Sequence, residues 1–105
     1  MTKFFQQRNA GYLRDIYNRL SRDHGDSKTE YYMQRARVAL NKLSRKDFDK
    51  VDSFDLMSLE FLYNRMEHVF GENTMSPHMQ NAKEGLEGVN RLVNGPRAIP
   101  LRKGW

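Results

Sequence analysis

Three histidines are the side chains of this chain best suited to metal binding, and only one arrangement among them has a workable spacing. His68 and Glu72 are four positions apart, which can place both on one helix face, and His78 follows downstream. Gly71 lies between the first two and is expected to end that helix, so the match to a zinc site is weak. The chain contains no cysteine, which excludes thiolate ligands, disulfides and cysteine nucleophiles. We therefore expect no bound metal and no cofactor.

Carboxylates at a regular spacing are the second group that could support catalysis. Asp49, Asp52 and Asp55 could act in acid–base or Mg²⁺ chemistry, but they flank a predicted helix start, where the helix dipole favours negative charge. We expect them to be structural, and we expect Asp55, Glu60 and Glu67 to form the solvated face of that helix. The chain also lacks a Gly-rich phosphate loop, a serine nucleophile elbow and an H-E-x-x-H pattern. The sequence predicts that the protein is not an enzyme.

Positive charge is concentrated in the first half of the chain. The net charge is +5, yet residues 1–46 carry eleven Lys or Arg against four Asp or Glu, while residues 47–72 carry two against seven. Lys28, Arg35 and Lys42 recur at intervals of seven, which predicts a basic stripe along one helix. The candidate nucleic-acid-binding residues are Arg14, Arg19, Lys28, Arg35, Lys42, Arg45 and Lys46, with Tyr12, Tyr17, Tyr31 and Tyr32 available to stack on bases.

A second interpretation of this charge needs no nucleic acid. The basic half can neutralise the acidic third helix, either within one chain or across a dimer, and no recognised DNA- or RNA-binding motif accompanies the basic residues. Protein binding is therefore our first hypothesis for the function, and nucleic-acid binding is the alternative.

Four helices must position these residues, and together they account for almost the whole chain. The apolar spacing predicts helices at about 3–22, from Ser27 to the basic residues near 46, at 54–70, and from Ser76 to about Val93. Ser27 with Glu30 forms a capping box, and Asp52 or Ser53 can cap the third helix. The third helix is apolar on nearly all sides, so we expect the others to pack around it. The fold class is an all-α bundle, with a single domain over 1–94 and an extended tail over 95–105.

Two features near the C-terminus predict a surface for a protein partner. Gly85 and Gly88 each weaken the last helix by about 1 kcal/mol relative to alanine, which favours close packing of another backbone against them. The tail that follows is basic and apolar and ends in the only tryptophan. The predicted partner-binding residues are Gly85, Gly88, Arg97, Ile99, Leu101, Arg102 and Trp105, with the tail docking on its own bundle or on a partner.

The remaining expectations concern location and function. No window approaches the ~18 apolar residues of a membrane span, and the first residues turn polar too soon for a signal peptide, so we expect a cytoplasmic protein without membrane contact. The sequence predicts a small regulator, inhibitor or adaptor that acts by protein–protein interaction. A homo-oligomer is one form that this interaction can take.

Overall fold

The fold is an all-α bundle of four helices, as the sequence predicts. The computed structural model describes residues 5–24, 30–69 and 77–95. In these ranges the helices are α1, Gln7–His24; α2, Glu30–Ser44; α3, Ser53–Val69; and α4, Pro77–Asn94, with a short 3₁₀ turn at Phe48–Lys50 before α3. The described residues contain no strand. Apart from Gly95, the predicted tail lies outside the described residues, and so do its named residues Arg97, Ile99, Leu101, Arg102 and Trp105 and the predicted capping residue Ser27.

The four helices pack as an antiparallel bundle around one apolar core. α1 and α3 each contact all three other helices, whereas α2 and α4 lie at opposite corners, so the central position predicted for α3 is shared with α1. The residues of the core that are fully or almost fully buried are Leu13, Ile16, Leu20, Ala36, Ala39, Leu40, Leu43, Leu59, Leu62, Ala82, Leu86 and Val89. These positions recur every three or four residues within each helix, which confirms the apolar faces predicted from the spacing. No helix in the described ranges has the length and apolar character that crossing a membrane requires.

The start of α3 is fixed by a reciprocal pair of capping hydrogen bonds. The backbone N–H of Asp55 donates to Asp52 Oδ1 at 3.0 Å, and the backbone N–H of Asp52 donates to Asp55 Oδ2 at 3.0 Å. This capping box satisfies a backbone donor on each side of the helix start. Of the two predicted caps, Asp52 is therefore the one used.

The end of α2 is closed by a left-handed residue that is not glycine. Lys46 has a φ of 61°, and the N–H groups of Lys46 and Asp47 donate to the carbonyls of Leu43 and Lys42 at 3.2 and 2.9 Å. This pair of bonds is the Schellman arrangement, in which the left-handed position usually belongs to glycine. Gln7 Nε2 of α1 also donates to the Leu43 carbonyl at 3.1 Å, so α1 helps to cap α2.

Candidate protein-interaction surface

The two glycines predicted to face a partner are instead buried against α1. An alanine Cβ at Gly85 would lie 2.7 Å from the backbone oxygen of Asn9, and one at Gly88 would lie 2.9 Å from Asn9 Nδ2. Both glycines are buried, so the surface they were expected to offer is occupied by this chain's own first helix. The expectation that another backbone packs closely there is correct for Gly85. The assignment of Gly85 and Gly88 to a partner site is wrong, because spacing alone cannot tell contact within a chain from contact between chains.

The acidic face predicted for α3 is also largely buried. Asp55 is fully inaccessible and Glu60 is 9% exposed, so the prediction of a solvated carboxylate face is wrong for both. Lys42 Nζ donates to Asp55 Oδ2 at 2.8 Å and to the Lys50 carbonyl at 3.1 Å. Lys42 therefore neutralises a buried carboxylate on α3, as the second interpretation of the charge pattern expects.

Most of the predicted nucleic-acid-binding residues have partners inside the chain. The guanidinium carbon of Arg35 lies 4.5 Å from the centre of the Phe54 ring, so at Arg35 and Lys42 the predicted basic stripe packs on α3 and is only partly exposed. Arg14 donates to Asn41 Oδ1 and Ser44 Oγ, and Arg19 approaches His78 Nε2 at 3.4 Å. Lys28 lies outside the described residues. Arg45 and Lys46 are exposed at the end of α2.

Among the aspartates and histidines considered for catalysis, Asp52, Asp55 and His78 make contacts within the bundle. The backbone N–H of Asp55 lowers the pKa of Asp52 below its ordinary value of 3.8, with partial opposition from burial and further support from Lys42. His78 Nδ1 lies 3.0 Å from Asp15 Oδ2 on α1, and His68 is exposed on α3. The described residues hold no group of three His, Asp or Glu side chains placed to bind a metal ion.

Exposed aromatic and apolar side chains lie on the outer side of α2 and at its contact with α3. Tyr31, Tyr32 and Val38 on α2 are 59%, 38% and 40% exposed, and they are the most exposed large hydrophobic residues in the described ranges. Tyr32 stacks on Phe61 of α3 with ring centres 4.4 Å apart, and Tyr31 meets Tyr32 edge-on at 5.2 Å. We call these four residues, Tyr31, Tyr32, Val38 and Phe61, the α2 face. These ring contacts fix the positions of the two tyrosine rings relative to Phe61.

Sequence reasoning identified only part of the α2 face. It named Tyr31 and Tyr32, but as residues that could stack on bases, and it missed Val38 and Phe61. A signal for Val38 is present: the buried line of α2 runs through Met33, Ala36, Leu40 and Leu43, and Val38 falls on the opposite side of the helix. A β-branched apolar residue away from the core line of an amphipathic helix indicates an exposed apolar position.

A second surface feature is an open groove at the end of the bundle where α1 begins. It has a volume of about 570 Å³ and lies between Phe5, Gln6, Gln7, Arg8, Lys46 and Phe48. Phe5 and Phe48 form its apolar part, with ring centres 6.0 Å apart. Phe5 itself is buried in the core, so it adds little accessible apolar surface to the groove.

Comparison with known proteins found no matching family model, no matching curated protein and no matching solved structure.

Proposed function

We propose that this chain is a small non-enzymatic binding protein that recognises another protein through the α2 face. The observation that carries the proposal is the exposure of Tyr31, Tyr32 and Val38 on one helix. Tyrosine and arginine are the residue types most often found at the energetic centres of protein interfaces, and rings already held in place lose little entropy on binding. Arg35, held over Phe54 beside these tyrosines, adds a cation at the edge of the same surface.

Nucleic-acid binding remains the alternative, and the contacts within the bundle make it the weaker one. Arg14, Arg35 and Lys42 hold side chains of this chain, which leaves less of their charge for phosphate groups. Arg45 and Lys46 are the members of the predicted set best placed to contact phosphate, because both are exposed. Reversing the charge of Arg35 or Lys42 would damage α3 packing, so the test of this alternative uses Arg45→Glu with Lys46→Glu.

The experiment is an affinity capture with the tagged chain from lysate of its source cells, with and without nuclease. We expect a defined protein to be retained after nuclease treatment and to be lost when Tyr31→Ser and Val38→Ser are combined. The matched control is Arg91→Ser, an exposed change on α4 at the opposite corner from α2. Retention unaffected by the double change would refute the α2 face as the site. Loss of all retained material with nuclease, and with Arg45→Glu and Lys46→Glu, would support nucleic-acid binding instead.

A further inference from the structure

We infer that the partner of the α2 face is a second copy of this chain, bound antiparallel along α2 with the two-fold axis at Val38. This inference rests on the proposed function, because it names the occupant of the surface proposed there. It is argued from three residues of one line, Tyr31, Val38 and Arg45.

Tyr31, Val38 and Arg45 are spaced by seven residues and lie along the exposed side of α2. All three are exposed, and the N–H of Arg45 still donates to the Asn41 carbonyl at 3.0 Å, so the helical spacing extends to Arg45. Seven residues are two helix turns, or about 10.5 Å along the axis. A repeat of seven is also the spacing that keeps one side of a helix against a second helix.

The line is complementary to itself when a second copy is turned through 180° about Val38. Each Tyr31 then faces Arg45 of the other copy, and the two Val38 side chains meet at the axis. An arginine guanidinium is attracted to the face of a tyrosine ring, and both such pairs form at once under two-fold symmetry. The edge contact of Tyr31 on Tyr32 at 5.2 Å holds the ring beside this line.

Within the line itself, this arrangement pairs no two like charges. Under the same rotation position i of one copy meets position 76 − i of the other, so Arg45, the charged residue of the line, meets the uncharged Tyr31. In a parallel arrangement each cation would instead meet its own copy, so Arg45 would face Arg45. The charge pattern of α2 therefore favours the antiparallel arrangement.

The area buried between the two α2 helices determines how tightly we expect the dimer to form. α2 has 15 residues and is about 22 Å long, so a single helix pair buries less area than the 1,200–2,000 Å² of a standard stable interface. We expect a reversible dimer with a dissociation constant of roughly 10–100 µM, within the weak range for small interfaces.

The first test is disulfide crosslinking through single introduced cysteines. The chain contains no cysteine of its own, so every disulfide that forms joins the introduced residues. Val38→Cys places two thiols at the axis, and facing helices 8–10 Å apart bring their Cα atoms within disulfide range. We expect mild oxidation to link the Val38→Cys protein into a dimer. Tyr31→Cys and Arg45→Cys should each fail to link to themselves, because the two copies of either residue are about 21 Å apart, yet a mixture of the two proteins should link. Lys83→Cys, exposed on α4, is the background control. Linking of Val38→Cys no faster than this control would overturn the inference.

The second test is a charge exchange read by sedimentation equilibrium over ~5–500 µM. Tyr31→Arg puts two arginines face to face and should weaken dimerisation at least tenfold, and adding Arg45→Glu to it should restore the wild-type affinity. Tyr31→Glu alone should preserve the dimer in the antiparallel arrangement and break it in the parallel one. Circular dichroism of each variant confirms that the bundle is intact. Failure of the rescue would overturn the inference.

The two proposals fail separately. A chain that stays monomeric in both tests, but loses a captured protein when Tyr31 and Val38 are changed, refutes the dimer and leaves the proposed function standing. If Val38→Cys forms no crosslinked dimer and no captured protein is lost on changing Tyr31 and Val38, both the dimer and the proposed function are refuted.

Discussion

Replacing Gly85 with alanine adds one methyl group where α4 has no room for it. The new Cβ would lie 2.7 Å from the backbone oxygen of Asn9 and 3.2 Å from Leu13 Cγ, whereas ordinary contact begins near 3.4 Å. Because the nearest atom belongs to the backbone of α1, the two helices must move apart by several tenths of an ångström. Overpacking of a core lowers the free energy of unfolding by about 1–3 kcal/mol, and the better helix propensity of alanine raises it by about 1 kcal/mol. We expect Gly85→Ala to lower the free energy of unfolding by up to about 2 kcal/mol.

Gly11→Ala is the matched control, because the chemical change is the same and the surroundings differ. Gly11 lies inside α1, is exposed, and an alanine Cβ there would meet nothing within 4 Å. We expect this variant to raise the free energy of unfolding by about 1 kcal/mol through helix propensity alone. Helix propensity cancels in the comparison of the two variants, so the difference between their unfolding free energies, roughly 1–3 kcal/mol, isolates the packing of α1 on α4.

The measurement is urea unfolding at 25 °C followed by circular dichroism at 222 nm, with all variants fitted to one slope. Gly88→Ala should fall between the other two, since its close neighbours are side-chain atoms of Asn9 and Phe5 that can move. If Gly85→Ala stabilises the protein as much as Gly11→Ala does, the close approach of the α1 and α4 backbones is refuted.

Three further predictions concern the ends of α2 and α3. Asp55→Ala should lower the free energy of unfolding by about 3 kcal/mol, because it removes a cap and leaves the Lys42 ammonium half-buried without its carboxylate. Combining it with Lys42→Met should cost only about 1 kcal/mol, the value of the cap, and strictly additive losses in urea unfolding would contradict the ion pair. The lowered pKa of Asp52 means that its contribution to stability is full above the ordinary value of 3.8 and is lost as the pH falls through the lower folded-state pKa. Asp52→Asn keeps a cap that cannot titrate, so its melting temperature should fall less than that of the wild type between pH 5 and pH 2, and identical pH profiles would count against the capping role. Lys46→Gly should raise the free energy of unfolding by about 0.5–1 kcal/mol by relieving the left-handed backbone at φ 61°, and Lys46→Ala, which keeps the strain, should not.

The sequence was a good guide to everything that depends on local spacing. The buried positions of α1 and α4, such as Leu13, Ile16, Ala82 and Val89, follow a helical repeat that needs no knowledge of the neighbouring helices. The capping residue Asp52 was among the predicted candidates for the same reason, because a cap and its helix are adjacent in the chain.

The sequence was a poor guide wherever the partner of a residue lies on another helix. The spacing of Arg35 and Lys42 predicts that they share one side of α2, but only the packed bundle shows that this side meets Phe54 and Asp55. Asp55 looked solvated because carboxylates are rarely buried, and its burial depends on a lysine thirteen positions away. The same limit explains Gly85, whose close neighbour Asn9 is at the other end of the chain.

The position of Lys42 between two helices also has a consequence for the order in which the bundle forms. Lys42 and Asp55 are thirteen residues apart and close a short loop, whereas Arg8 and Glu84, which join α1 to α4, are seventy-six residues apart. The entropy lost on closing a loop grows with its length, so α2 and α3 can pair before α1 docks on α4. In stopped-flow experiments Asp55→Ala should therefore slow folding, while Gly85→Ala should leave the folding rate nearly unchanged and accelerate unfolding. On this basis the hairpin of α2 and α3, which also carries the α2 face, is the part of the chain that acquires its native shape first.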